Sequence, residues 1–237
     1  MKCIYHGLET SQYQGERSKA QGSGPPSFAR DCAKRAIPPV PGTGVNRLWA
    51  VEKEKGIVLA VGQLREKKGF GFLLKACQRL VEQGYELKCD IVGEGPLRQS
   101  LEAEIRQLSL EDTVTLCGAL PHQEVIAKYR QAMMFVLPAV MGADGDRDGI
   151  PNVILEAMAM ELPVVSTRLS GIPEVVEDGI NGLLVPPADE RALAEALIRL
   201  LDNPDEGWRM GRKGRETVIE NFDLEQNVKR LLAEFTG

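Results

Sequence analysis

From residue 56 onward, the chain alternates short apolar runs with longer segments in which apolar residues recur every three or four positions. The short runs are rich in β-branched residues and almost unbroken by polar ones. This pattern is typical of strands buried on both faces of a parallel sheet. The six runs are GIVLAVG (56–62), LKCDIVG (87–93), TVTLCG (113–118), MFVLPA (134–139), PVVST (163–167) and GLLVP (182–186). They predict six central strands.

The segments between these runs have helical periodicity. In PLRQSLEAEIRQLSL, the side chains of Leu97, Leu101 and Ile105 fall on one helical face. In DERALAEALIRLL, Asp189 is suited to cap the helix. Residues 204–235 predict two further helices, with a break near ENFDLE. Alternating strands and helices indicate an α/β fold, a Rossmann-like, doubly wound parallel sheet of about six strands with flanking helices. Ligands of such folds bind beyond the carboxyl ends of the strands.

The amino-terminal quarter of the chain differs from the rest. Residues 14–50 are rich in Gly, Pro, Ser and basic residues and have no apolar period. Such a segment buries too little apolar surface to fold by itself. We expect a flexible linker or loop over 14–50 and a compact domain over 51–237.

Composition narrows the classes of function. The chain has 237 residues, of which 43% are hydrophobic and 27% charged, and a net charge of −5, so nucleic acid is not an expected partner. No apolar run is long enough to span a membrane, and the amino terminus lacks the layout of a signal peptide. Five scattered cysteines indicate reduced thiols and a cytoplasmic protein. Since the only histidines are His6 and His122, a histidine-rich zinc site is excluded.

The segment GADGDRDGIPNVILEAMAM (142–160) carries the most distinctive chemistry. Three aspartates on alternate positions precede a glycine: Asp144, Asp146, Asp148 and Gly149. An EF-hand would place its final glutamate at Leu155, but Glu156 comes one residue late. A D-x-D metal site bridging a nucleotide diphosphate is a second alternative. A solvated acidic loop is the third.

Glu156 lies in PNVILEAMAM, which is apolar nearly all round and therefore predicts a buried helix. A buried carboxylate is costly unless it is paired or hydrogen-bonded. It either pairs with a lysine or arginine, or accepts bonds from ligand hydroxyls such as a ribose diol. The helix start offers free backbone N–H groups at Ile150, Asn152 and Val153, which suit a phosphate. Asp148 precedes them and is placed to meet sugar hydroxyls.

The stretch DGIPNVILE resembles the E-x7-E element of the retaining glycosyltransferases of family 4, which have the GT-B fold. Four further segments are similar to that family in the same order: AVGQLREKKGF, DIVGEGPLRQSLEAEI, TVTLCGALPHQEV and LEAMAMELPVVSTRLSGIPEVVEDGINGLLVPPAD. Together they cover roughly residues 56 to 222. The resemblance implies that Asp148 takes the place of the first glutamate, contacts donor-sugar hydroxyls and takes part in catalysis. It implies that Glu156 holds the ribose, with Gly149 in the same donor-binding loop.

The segment VGQLREKKG resembles the family's diphosphate-binding element. That element has an arginine directly after the glycine, here Gly62, and a lysine five residues further on. Lys68 matches the lysine, which neutralises the donor diphosphate and stabilises the leaving group, and so counts as a second catalytic residue. The arginine position holds Gln63, which can donate a hydrogen bond but has no charge. Arg65 and Lys67 are the candidates to replace the missing charge.

Two further loops are expected at the nucleotide. VGEGPLR does not complete a dinucleotide fingerprint, because Arg98 takes the place of its third glycine. By resemblance, Gly93 and Glu94 line the nucleotide cleft. The loop GALPHQEV is expected to frame the base through backbone groups around Leu120. His122 starts the next helix and is expected to be a surface or capping residue rather than a general base.

The resemblance implies the donor-binding half of a retaining enzyme of polysaccharide biosynthesis. Such an enzyme transfers a hexose from a UDP-, GDP- or ADP-sugar to a glycan or lipid-linked acceptor, without cofactor or metal. Residues 1–13 resemble the remnant of the family's passage into its second domain, so the acceptor domain is expected to be separate. A peripheral place at the inner face of the membrane is compatible with the full enzyme. The alternative is a non-catalytic nucleotide-sugar binding module or inactive fragment, which Gln63 favours. We also expect Gly171, in SGIPEVVEDG, to allow a close approach beside the donor sugar.

Overall fold

The computed structural model describes residues 56–143 and 145–222. The predicted segments 1–13 and 14–50 lie outside the described residues. The same holds for Asp144 and for the second of the two carboxyl-terminal helices.

The six predicted strands all form, and each is within two residues of its expected bounds. They are β1 (Ile57–Val61), β2 (Lys88–Val92), β3 (Val114–Gly118), β4 (Met134–Leu137), β5 (Val164–Thr167) and β6 (Gly182–Val185). The strands pair in parallel in the order β3-β2-β1-β4-β5-β6. Every residue of β4, β5 and β6 is buried, which is why these strands are apolar without alternation.

Helices flank the sheet and connect its strands. They are α1 (Phe70–Glu82), α2 (Arg98–Gln107), α3 (His122–Gln131), α4 (Asn152–Ala159), α5 (Glu190–Asp202) and α6 (Pro204–Phe222). Short 3-10 turns occupy Glu66–Lys68 and Ile172–Glu174. The predicted cap is confirmed, since the carboxylate of Asp189 accepts a hydrogen bond of 2.8 Å from the backbone N–H of Ala192.

The strand order determines where a ligand can bind. Chain connections run from β1 outward to β2 and β3, and then return to β4 and continue outward on the other side. This is the doubly wound order whose connections diverge between two neighbouring central strands, and the divergence leaves a crevice at their carboxyl ends. Here those strands are β1 and β4, so the loops that follow them border the crevice.

Candidate functional site

The loops after β1 and β4 are in direct backbone contact. The N–H of Val140 donates to the carbonyl of Lys67 at 3.0 Å. Gly69 ends the 3-10 turn with a positive φ of 68°, and a Cβ added there would lie 1.9 Å from the carbonyl oxygen of Pro138. Glycine is therefore required on both conformational and steric grounds. This contact fixes the position of the two lysines relative to the β4 loop.

Buried hydroxyls of β5 hold the start of the β4 loop. The Oγ of Ser166 donates to the carbonyl of Leu137 at 2.6 Å, and the Oγ1 of Thr167 donates to the carbonyl of Ala139 at 2.6 Å. Both side chains are buried. They satisfy carbonyl groups just past the end of β4, where the sheet ladder stops, and so stabilise the exit path of that loop.

Four charged side chains meet where the two loops touch. The Nζ of Lys68 lies 2.6 Å from Oδ2 of Asp148, and the Nζ of Lys67 lies 3.2 Å from Oδ1 of the same carboxylate. Lys67 also pairs with Asp146 at 3.0 Å. We call Lys67, Lys68, Asp146 and Asp148 the charged cluster. The structure thus brings Lys68 and Asp148 together, which are 80 residues apart in sequence.

The electrostatics of the charged cluster favour ionised groups. Partial burial acts to raise the pKa of Asp148, but the hydrogen bonds and charges of Lys68 and Lys67 outweigh it, so this pKa lies below its usual value. The hydrogen bond to Asp146 raises the pKa of Lys67, against the opposing effect of burial. Asp148 and Lys67 therefore stay charged at neutral pH.

Glu156 lies in a very different environment, on the buried helix α4. Its relative exposure is 6%, and its Oε2 accepts a hydrogen bond of 3.1 Å from the hydroxyl of Tyr129. A buried carboxylate is usually paired with a lysine or arginine. In the described part of the chain, Glu156 has no such partner. Burial raises the pKa of Glu156 to about 7, and the tyrosine bond acts in the opposite direction.

Tyr129 comes from α3 and is fully buried. Its ring lies 5.9 Å from that of Phe135 on β4, at an interplanar angle of 35°. Its hydroxyl is also 3.4 Å from the carbonyl of Val153. Sequence reasoning missed this residue because Tyr129 and Val125 fall four positions apart on one helical face, a spacing that indicates only a core position.

The loops after β2 and β3 join the same edge. The N–H of Gly93 donates to the carbonyl of Gly118 at 2.8 Å, and that of Leu64 donates to the carbonyl of Glu94 at 3.0 Å. Gly93 has a φ of 145°, and a Cβ there would lie 1.9 Å from the carbonyl of Gly62. The Glu94 side chain is exposed and pairs with Arg98 at 2.5 Å. These residues therefore lie beside the β1 loop, and their expected role at a nucleotide stays a prediction.

The start of α4 lies next to a second loop. The helix begins at Asn152, so Gly149 and Ile150 precede it. A Cβ on Gly171 would lie 2.8 Å from Cγ1 of Ile150 and 3.3 Å from the carbonyl carbon of Gly149. The close approach at Gly171 is made to the loop that carries Asp148, and the expected approach beside the donor sugar stays a prediction.

The remaining candidates lie in the loops at the same edge of the sheet. Gln63 and Leu120 are half-buried, and Arg65 is exposed. His122 begins α3 and is exposed, as expected for a residue at a helix start. Arg65 and Lys67 were the two candidates to replace the missing arginine, and Lys67 is the one that belongs to the charged cluster. The doublet of lysines in REKKG was the available signal for it.

The fold and the site together define an α/β domain with a cluster of charged side chains at its topological switch point. Over residues 47–217 the chain matches the family described as glycosyl transferases group 1, and it belongs to that family.

Two curated relatives are named as glycosyltransferases of colanic acid and of amylovoran biosynthesis. WcaL of Escherichia coli K12, a putative colanic acid biosynthesis glycosyltransferase, is 44% identical to this chain over 177 residues. The matched residues are 74% of this chain and 43% of WcaL. The amylovoran biosynthesis glycosyltransferase AmsK of Erwinia amylovora is 44% identical over 143 residues, 60% of this chain and 35% of AmsK. This chain therefore spans less than half the length of these relatives.

Solved structures confirm the fold. HepE of Anabaena, in complex with UDP and glucose, has a TM-score of 0.68 at 20% identity over 77% of this chain and 48% of its own. The carboxyl-terminal domain of LpcC, a group 1 glycosyl transferase of Francisella tularensis, has a TM-score of 0.63 at 21% identity over 78% of this chain and 95% of that domain. The predicted Rossmann-like fold is therefore confirmed.

Within residues 56–143 and 145–222, none of the helices combines the length and apolar character needed to cross a bilayer.

Proposed function

We propose that this domain binds the nucleotide-sugar donor of a retaining family 4 glycosyltransferase of the GT-B type. The enzyme would transfer a hexose from that donor to a glycan or a lipid-linked acceptor. One observation carries the proposal: Lys68 and Asp148 meet at 2.6 Å at the carboxyl ends of β1 and β4, and Glu156 follows on the buried helix α4. A cation for the diphosphate, an acceptor for sugar hydroxyls and an acceptor for the ribose would therefore come from one edge of the sheet.

The donor diphosphate would bind between the lysines and the start of α4. Lys68 and Lys67 supply positive charge, and the N–H groups of Ile150, Asn152 and Val153 precede or open a helix whose dipole favours an anion. Lys67 compensates for the uncharged Gln63, because its ammonium group lies within 3.2 Å of the carboxylate that Lys68 also contacts. These charges would stabilise the nucleoside diphosphate as it leaves.

Asp148 would change partners when the donor arrives. Without ligand, its two oxygens are occupied by Lys68 and Lys67. A diphosphate competes for the same ammonium groups, which frees acceptor capacity on Asp148 for hydroxyls of the donor sugar. The reaction then depends mainly on holding donor and acceptor in register, with the departing phosphate as base and few side chains acting directly.

The similar proteins suggest which donor and which acceptor to test. HepE, which shares the fold, is solved with UDP and glucose, so a UDP-sugar is the first donor to test, with GDP- and ADP-sugars as alternatives. No metal is assigned a role, because the lysines supply the positive charge. The acceptor is assigned to a separate domain, as in two-domain GT-B enzymes, and the relatives named for exopolysaccharide synthesis favour a growing glycan or lipid carrier.

A thermal-shift titration with UDP, GDP, ADP and their hexose conjugates tests the proposal. A ligand at about 100 times its dissociation constant stabilises a protein by about 2.7 kcal/mol, which shifts the melting temperature measurably. We expect one nucleotide to stabilise the wild-type chain and Lys75→Met, whose exposed lysine lies on α1 away from the site, but not Glu156→Gln. A cooperatively melting protein that responds to none of these nucleotides would overturn the donor-binding proposal.

A second candidate is a nucleotide-sugar binding module without transferase activity, and the uncharged Gln63 favours it. Nucleotide release from the sugar conjugate separates the two. If the wild-type chain binds donor without releasing nucleotide and Gln63→Arg releases it, the second candidate describes the natural chain. If both release nucleotide at similar rates, Lys67 suffices and the first candidate stands.

A further inference from the structure

The hydroxyl of Tyr129 and the carboxylate of Glu156 form a buried pair that the motif resemblance does not assign. Oε2 of Glu156 accepts the 3.1 Å bond from this hydroxyl, and Oε1 has no hydrogen-bond partner among the described residues. The side chain of Glu156 is more than nine-tenths buried. An unsatisfied carboxylate oxygen at such a position is costly unless a ligand completes it.

The tyrosine ring has little freedom to move. It is fully buried between α3 and the sheet, and its face lies 5.9 Å from Phe135 of β4. Its hydroxyl proton can go to Glu156 or to the carbonyl of Val153, which is 3.4 Å away. The shorter distance and the stronger acceptor both favour Glu156. The bond therefore selects one carboxylate oxygen and orients the other.

Resting on the proposed function, we propose that Tyr129 is a positioning residue for nucleotide binding, holding Oε2 of Glu156 so that Oε1 receives the ribose hydroxyls of a nucleoside diphosphate. The hydroxyl also favours the ionised carboxylate, which can accept bonds from both hydroxyls of a diol. A protonated carboxyl group has one oxygen committed as a donor and binds a diol less well. Nucleotide affinity should therefore rise with pH as Glu156 ionises.

Among residues 56–143 and 145–222, no charged group takes over the role of the tyrosine. The helix α4 packs against β4, β5 and α6. On β5, the hydroxyls of Ser166 and Thr167 donate to backbone carbonyls. On α6, Arg215 pairs with Glu161 at 3.5 Å. In the β4 loop, Asp148 pairs with the two lysines. In the described part of the chain, Tyr129 is the titratable group that acts on the pKa of Glu156, apart from burial itself.

The test is the pH dependence of binding, measured by calorimetry with UDP-glucose from pH 5.5 to 9. The diphosphate of this probe is a diester and has no proton to lose in that range, so the midpoint reports the protein. For wild type we expect a midpoint near 7, the value to which burial raises the pKa of Glu156. For Tyr129→Phe we expect the midpoint to move up by about one unit, with affinity about fivefold weaker at pH 7 and recovering at high pH.

Tyr85→Phe is the matched control. It removes an equivalent hydroxyl, which is bonded to Asp202 at 3.0 Å outside the site, and should leave the midpoint unchanged. Replacement of the tyrosines by 3-fluorotyrosine, whose hydroxyl is a stronger donor of nearly the same size, should move the midpoint down. This second measurement remains informative if Tyr129→Phe folds poorly.

The possible outcomes separate the two proposals. If wild type binds none of UDP-glucose, GDP-mannose and ADP-glucose, the proposed function fails. If wild type binds one of them, and both Tyr129→Phe and the fluorinated protein keep the wild-type midpoint, the donor site stands and the role of Tyr129 is wrong. A uniform loss of affinity at all pH values would likewise show that the tyrosine acts only in packing.

Discussion

Asp148 and Glu156 are eight positions apart in one loop and helix, yet their surroundings are opposite. Asp148 is half-buried and held between two ammonium groups, so its pKa is lowered against the effect of partial burial. Glu156 is buried, its side-chain partner in the described part of the chain is one tyrosine hydroxyl, and its pKa rises to about 7. Two carboxylates of one motif thus have different charges near neutral pH.

The cause is the element on which each side chain lies. Asp148 is in the loop beyond β4, which touches the lysine-bearing loop beyond β1. Glu156 is on α4, which is enclosed by the sheet and by α6. The loop carboxylate therefore stabilises the ligand-free protein, whereas the buried helix carboxylate destabilises it, a cost that the proposed ligand would compensate. This is how stability is exchanged for function at many sites.

The largest expected effect is on stability, in Glu156→Gln. The folded pKa of Glu156, about 7, lies above the ordinary value of 4.5, so the folded state holds an extra proton between these values and loses stability as pH rises through that window. The penalty is complete above about pH 7 and amounts to about 3 kcal/mol. Glu156→Gln removes it, so urea denaturation at pH 8 should show a variant more stable than wild type, with a smaller difference at pH 5.

Asp148→Asn is expected to change stability in the opposite direction. The folded pKa of Asp148 is depressed, so its contribution is present at neutral pH and is lost as pH falls through that lowered value. The variant should be less stable than wild type at pH 8, by about 1 kcal/mol. If both variants shift stability in the same direction at pH 8, the contrast between the two carboxylates is wrong.

The second expected effect comes from the contact that holds the two loops together. Gly69→Ala places a Cβ 1.9 Å from the carbonyl of Pro138 at a φ of 68°, so the backbone must shift as well as accept strain. We expect a loss of about 2 kcal/mol or more in the free energy of unfolding, together with weaker binding of nucleotide-sugar.

Comparison with Gly84→Ala separates the steric part of this loss from the conformational part. Gly84 has a φ of 84°, but a Cβ there meets no atom within 4 Å. It should show the cost of the left-handed conformation alone, about 1 kcal/mol, and leave binding unchanged. Equal losses in the two alanine variants would mean that the contact with Pro138 does not hold the charged cluster in place.

The smallest expected effects concern the lysines. Lys68→Met should weaken UDP binding about tenfold, since a charge-assisted bond to phosphate contributes about 1.5 kcal/mol. Lys67→Met should weaken it less, because its ammonium group is shared with Asp146, and the exposed Lys75→Met should have no effect. Calorimetry with UDP and with uridine distinguishes these cases. Equal effects on uridine, which has no phosphate, would contradict a role at the diphosphate.

Much of the fold is predictable from the sequence because burial on both faces leaves an unambiguous signal. The runs that became β4, β5 and β6 are apolar at every position that the sheet covers. The helix boundaries were also close, since Asp189 caps α5 as its position suggested. The strand order needed more than periodicity, because equal apolar runs fit several orders of a parallel sheet.

The site was predictable where a residue type conflicts with its surroundings. A glutamate in an apolar helix had to be buried with a polar partner, and Glu156 is. The identity of that partner was not predictable, because Tyr129 has the spacing of an ordinary core residue and is distant in sequence. The hydroxyls of Ser166 and Thr167 were missed for a related reason, because their roles arise from contacts with the loop of a different strand. The functions assigned to all these residues stay predictions.

The measurement that tests the account most directly is the affinity of Glu156→Gln and Asp148→Asn for plain UDP and for UDP-glucose at pH 8. We expect Glu156→Gln to lose most of its affinity for both ligands, because the ribose contact does not depend on the sugar. Asp148→Asn should bind UDP as well as wild type or better, since its lysines are freed, and should lose affinity only for UDP-glucose. Equal losses of UDP affinity in the two variants would contradict the assignment of the ribose to Glu156 and of the sugar to Asp148.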